Sequence, residues 1–147
     1  MDTGTMERNR DIALAYFLLR ATVGVNIAFH GVSRILAGPA NFASTLVPLF
    51  QKTLLPVWSV LSFGLALPWV EAVLGILVLA GLRTRIALIG CGLLILVLTF
   101  GSCLRQDWAG AGAQLLYAAI FSALLAFRDR NEYALDAWWQ RRSRARS

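Results

Sequence analysis

Residues Leu14 to Leu36 form a long, mainly apolar stretch, LAYFLLRATVGVNIAFHGVSRIL, that carries Arg20, Asn26, His30 and Arg34. A helix of this length and composition is suited to crossing a bilayer, where its backbone polar groups must be satisfied internally. At about 100° per residue the four polar side chains fall within a sector of roughly 120°. Gly24 and Gly31 border that sector, while Leu14, Leu18, Val25, Phe29, Val32 and Leu36 point away from it. Charges at that depth must turn toward protein or trapped water, so the rest of the chain has to receive them.

Three more stretches read as spans, giving crossings at about 12–36, 57–82, 86–104 and 109–127. Charged residues make up only 15% of the 147 residues, against about 25% in an ordinary soluble domain. The fold expected is an all-α membrane protein, a four-transmembrane-helix bundle in a single domain over 1–147. Met1 to Asp11 is polar and expected to fray. Its neighbouring apolar segment is too long, and too interrupted by Arg20, for a secretory signal, so it reads as a retained span. Gly38-Pro39 ends the first span. Ala40 to Pro56 then suits either a short amphipathic helix at the interface or a plain loop. Pro68 interrupts the second span's hydrogen-bond ladder, and Glu71 follows near mid-span. Gly81-Leu82-Arg83-Thr84-Arg85 is a tight charged turn. The fourth span is rich in small residues that would let helix backbones approach closely. Residues 128–147 form a basic amphipathic tail in which Tyr133, Leu135, Trp138 and Trp139 could anchor at the interface, followed by Arg141, Arg142, Arg144 and Arg146.

Four crossings put both ends of the chain on one side. Ten of the fourteen basic residues lie in the N-terminal segment, the second-to-third turn or the tail, so the termini are expected to be cytoplasmic. The same distribution argues for anionic lipid as the partner of these charges, and against nucleic acid. Cys91 and Cys103 would sit about 18 Å apart along one helix, too far for a disulfide.

Counting depth from the ends of the spans brings Arg20 and Glu71 to similar levels, so the two are expected to pair inside the bundle. That pair reads equally as a structural tie and as a polar site. Nearer the other surface, the same counting gathers Asn26, His30, Thr99 and Gln114, with Trp69 and Tyr117 beside them, as a ligand-binding pocket. His30 has no second His or Cys at ligand spacing, so no metal is expected; a lone intramembrane histidine suits proton exchange. No Gly-rich phosphate loop, hydrolase serine motif or zinc motif occurs. Any redox centre would be a diffusible molecule such as quinone, or would sit on a partner.

The segments LLRATVGVNIAFHGVSRIL and LPWVEAVLGILVLAGLRTRIALI resemble the DoxX/DoxD family of small bacterial membrane proteins. The matching positions are Arg20, Gly31, Arg34, Glu71, Gly81, Thr84 and Arg85. TFGSCLRQDWAGAGAQLLYAAIFSALLAF and NEYALDAWW are similar to the DoxD-like branch, named for the small subunit of thiosulfate:quinone oxidoreductase. The resemblance implies a four-helix bundle in a bacterial inner membrane. It further implies a membrane subunit of a quinone-linked oxidoreductase, working with a partner subunit. On that reading Arg20, His30 and Glu71 are the catalytic candidates, and nothing is covalently bound. The alternatives are a non-catalytic anchor or assembly factor that docks a peripheral enzyme through the tail, and a small transporter, which an oligomer could form. The latter is disfavoured by the lack of an inverted repeat.

Overall fold

The structure is a computed structural model that describes residues 3–144. It is all-α, with helices α1 (Thr3–Leu36), α2 (Pro39–Phe50), α3 (Val57–Ala80), α4 (Thr84–Leu104), α5 (Trp108–Ala126) and α6 (Leu135–Arg144), and a 3-10 turn over Arg128–Arg130. Of these, α1, α3, α4 and α5 are long and apolar enough to cross a membrane. Leu14, Leu18, Val25, Phe29, Val32 and Leu36 form the outward face of α1, as the helical period requires. The stretch before Asp11 is not frayed from Thr3 onward. It extends α1 to 34 residues.

The connection after α1 is a helix. Gly38 takes φ 95°, a left-handed conformation that suits glycine, and Pro39 supplies the preset φ of a first helical turn. α2 does not merely lie flat at an interface: it packs along the first half of α3, where Gly64 admits the backbone of Ala43. α3 runs on through Pro68.

The tightest interface joins α1 to α3. Gly24 lies against Leu79, Ala28 against Gly75, and Gly31 against Ala72 and the Pro68 carbonyl. Several of the small residues of α5 take no part in a close helix approach. Ala109, Gly112, Ala113 and Ala119 face outward, and a Cβ on Gly112 would meet nothing within 4 Å. A dry core sits beside this interface, on the side of the bundle carrying the termini. It comprises Tyr16, Val23, Ile27, Val78, Ala87, Leu88, Cys91, Ile95, Phe121 and Leu124. Both cysteines are free thiols.

The turn after α3 is built from its own residues and from the tail. Gly81 adopts φ 65° and closes a Schellman motif, with Leu82 N–H donating to Leu77 O at 3.0 Å and Gly81 N–H to Val78 O at 3.1 Å. Arg83, the residue before α4, has no capping side chain of its own. Asp136 supplies the cap from the far end of the chain. Its carboxylate accepts from Arg83 N–H, Thr84 N–H and the Thr84 hydroxyl at 2.8, 2.8 and 2.9 Å. Asp136→Ala is expected to cost about 1–2 kcal/mol, the worth of an N-cap. Hydrogen exchange should show lost protection at the amides of residues 83–85, with the centre of α4 unchanged.

Candidate functional site

Two polar centres occupy opposite ends of the α1–α3 pair, and the expected Arg20–Glu71 contact belongs to neither. Arg20, only 1% exposed, donates through Nη1 to the carbonyls of Val78 and Leu79, the latter at 2.7 Å. Its Nη2 donates to Tyr133 O at 2.7 Å. Arg20 therefore caps the last turn of α3, where free carbonyls and the helix dipole favour a cation. The glycine contacts explain why it is not elsewhere. They set residue 71 level with residue 32, leaving Arg20 about 18 Å away along the axis at roughly 1.5 Å per residue. Depth counted from the predicted helix ends misjudged this, since α1 begins well before residue 12 and α3 stops at Ala80.

Glu71 is instead bound by Arg34. The two side chains form an ion pair in which the carboxylate is 5% and the guanidinium 27% exposed. A helical side chain leans toward its helix N-terminus, so Arg34 reaches back to Glu71's level. The Arg34 guanidinium also lies over the Phe42 ring of α2 at 4.5 Å from the centroid. Gly31 and Ala72 matter here as well, because their contact brings the two helices close enough for the pair to form inside the protein.

This pair lines a cavity of about 500 Å³, within the size range of small-molecule sites. Its walls are mostly apolar, with Phe42 and Phe50 of α2, Phe63 of α3 and Phe100 of α4 among them. His30 lies on the wall one turn from Arg34. Gln114 and Tyr117 reach in from α5: Gln114 Nε2 donates to Ser102 Oγ at 3.0 Å, and Tyr117 O–H donates to Asn26 Oδ1 at 2.9 Å. At the far end, Arg105 spans Phe50 at 5.3 Å and donates to Asp107 at 2.9 Å.

Of the residues expected from the sequence, the fold brings His30, Glu71, Gln114 and Tyr117 to one cavity, with Asn26 tied to it through Tyr117. Arg20 lies at the other centre. Trp69 does not belong to the pocket: it is 55% exposed on the outside of α3 and absent from the cavity wall. Thr99 is also absent, its hydroxyl being spent on the Ile95 carbonyl one turn back, at 2.8 Å. Arg34, Ser102 and Arg105 were missed as site residues. Arg34 was readable in principle, one turn beyond His30 on the same polar face. Ser102 and Arg105 had no pattern to reveal them, because they join the site only through the α4–α5 hairpin.

The fold and cavity together define the class: an all-α protein with four membrane-crossing helices around a mainly apolar cavity that contains an ion pair. No family model, curated protein or solved structure matches the chain.

Proposed function

We propose that this chain is the quinone-binding membrane subunit of an oxidoreductase in the bacterial cytoplasmic membrane, with both termini cytoplasmic. The observation that carries the reading is the Arg34–Glu71 pair set in the wall of a mainly apolar cavity. A flat ring bearing carbonyl oxygens and an apolar tail suits such walls. The residues fit the group: Arg34 offers donors to a ring oxygen, and the Phe42, Phe50, Phe63 and Phe100 side chains offer apolar contact. Bound quinone supplies two-electron, two-proton chemistry. Residues of this chain supply binding and proton handling. Arg34 orients the acceptor oxygen, while Glu71 and His30 lie on the same wall as acid–base groups. Arg20 keeps a structural role, as a cap. The electron donor is a redox centre on a partner subunit. The DoxX/DoxD resemblance supports this reading, and the charge distribution of the turns and tail supports the orientation.

The test is binding. Purified protein in mild detergent should retain extractable quinone and bind a short-tail quinone analogue, with Trp fluorescence or calorimetry as the readout. Arg34→Gln removes a charged donor, and should weaken affinity by roughly 10–100-fold, the equivalent of about 1.5–3 kcal/mol. Equal affinity in wild type and Arg34→Gln, or no quinone binding at all, overturns the reading. A protein that binds no quinone but holds a peripheral enzyme at the membrane is an anchor.

A further inference from the structure

The two ends of the cavity differ in a way that quinone binding alone does not require. Toward the termini it is bounded by Ile27 and Ile95, which belong to the dry core. Beyond them Val78 and Ala87 are fully buried, and Leu88, Cys91 and Leu124 are 1% exposed. That packing is apolar except for Tyr16, whose hydroxyl donates to Leu124 O, and the buried Arg20 and Thr84 lie beyond it toward the termini. The other end has the opposite character. It is formed by Ser102, Arg105 and Gln114, where α4 turns into α5. Two buried polar atoms there have no partner, Arg105 Nε and Gln114 Oε1. A donor and an acceptor left unmet in lipid would each be costly, and a polar recess is where water satisfies such groups. The Arg105 guanidinium is itself tied to Asp107, which is 40% exposed. A polar chain thus leads from the surface into the cavity.

We propose that the Ser102–Arg105–Gln114 end is a water-filled vestibule, which opens the Arg34–Glu71 centre to the membrane face opposite the termini and to that face alone. The inference deepens the reading of the cavity as a proton-handling quinone site by assigning the side with which it exchanges water and protons. Glu71 communicates with that side past Arg34 and His30 of α1. α3 contributes no other charged side chain to the cavity wall, and α4 contributes none below Arg105.

Cysteine accessibility tests this without a quinone. In a Cys91→Ala, Cys103→Ala background, Ser102→Cys and Leu98→Cys each place one thiol on the cavity wall. Thr5→Cys reports the terminal face, Lys52→Cys the opposite face and Trp69→Cys the lipid. A charged, membrane-impermeant methanethiosulfonate is added to either side of oriented vesicles. Because thiolate is the reacting species and forms in water, both cavity thiols should react from the Lys52 side at least about tenfold faster than from the Thr5 side. Trp69→Cys should stay unreactive from both. Leu98→Cys covers the case in which Ser102→Cys disturbs the Gln114 contact. Equal labelling from both sides, faster labelling from the Thr5 side, or cavity thiols as inert as Trp69→Cys overturns the proposal. Sided labelling in a protein that takes up no quinone retains the vestibule and removes the proposed ligand. Quinone binding with unlabelled thiols does the reverse.

Discussion

Gly31→Ala should separate the bundle's two principal helices and, with Gly75→Ala, rank among the largest losses of stability that one added methyl group causes in this protein. The new Cβ would fall on the backbone nitrogen of Ala72 and the carbonyl oxygen of Pro68. Neither is the end of a flexible side chain, so the helices themselves must move apart. Overpacking of this kind costs about 3 kcal/mol. A fall of roughly 10 °C in the unfolding midpoint in detergent is the expected scale. Separation should also loosen the Arg34–Glu71 pair, so affinity for the proposed quinone should drop with stability. Gly92→Ala and Gly112→Ala are the controls. A Cβ at either position meets nothing within 4 Å, and alanine is intrinsically the better helix former by about 1 kcal/mol. Those variants should be neutral or slightly stabilised. If Gly31→Ala matched them, the α1–α3 register described above would be wrong.

Arg20→Met has the second largest expected effect and acts differently. The side chain's volume is approximately kept, but the carbonyls of Val78, Leu79 and Tyr133 lose their donor. Leaving buried acceptors unmet costs roughly 1–3 kcal/mol each, so a total near 3 kcal/mol is expected after local relaxation. Arg20→Lys should recover only part of this, because an ammonium cannot present the spread guanidinium fork that reaches α3 and residue 133 together. Protease sensitivity of the segment 127–135 should rise in Arg20→Met, since Tyr133 is one of its attachments to the bundle. Quinone affinity should change little, because Arg20 lies outside the cavity wall. That separation distinguishes a cap from a catalytic group. An Arg20→Met protein with normal stability and lost binding would return Arg20 to the proposed quinone site.

Much of the architecture was legible from apolar length and period. Four long hydrophobic runs, and the outward stripe of Leu14, Leu18, Val25, Phe29, Val32 and Leu36, follow from the bilayer's demand that the backbone be satisfied within each helix. The pairing of charges was not legible from the helix ends. Depth counted from helix ends inherits every error in those ends, and α1 starts well before residue 12. The better ruler was already in the chain. Gly24, Ala28 and Gly31 on one helix meet Leu79, Gly75 and Ala72 on the other, a register that moves Arg20 to the end of α3 and brings Glu71 to Arg34. Thr99 and Trp69 went astray for separate reasons. A hydroxyl inside a helix can satisfy itself on the preceding turn. Trp69 lies on the outward side of α3, away from the cavity. The Asp136 cap had no local signal at all, because its recipients lie more than fifty residues earlier.

That remote cap bears on how the protein is made. The turn between the second and third crossings is completed by a carboxylate that leaves the ribosome only after all four crossings have been synthesised. Arg20, near the start of the chain, likewise waits for the Tyr133 carbonyl. Insertion can proceed helix by helix, but the bundle locks in a last step that needs the chain through residue 136. A chain cut short before residue 133 should reach the membrane and remain there unlatched, exposed to quality-control proteolysis.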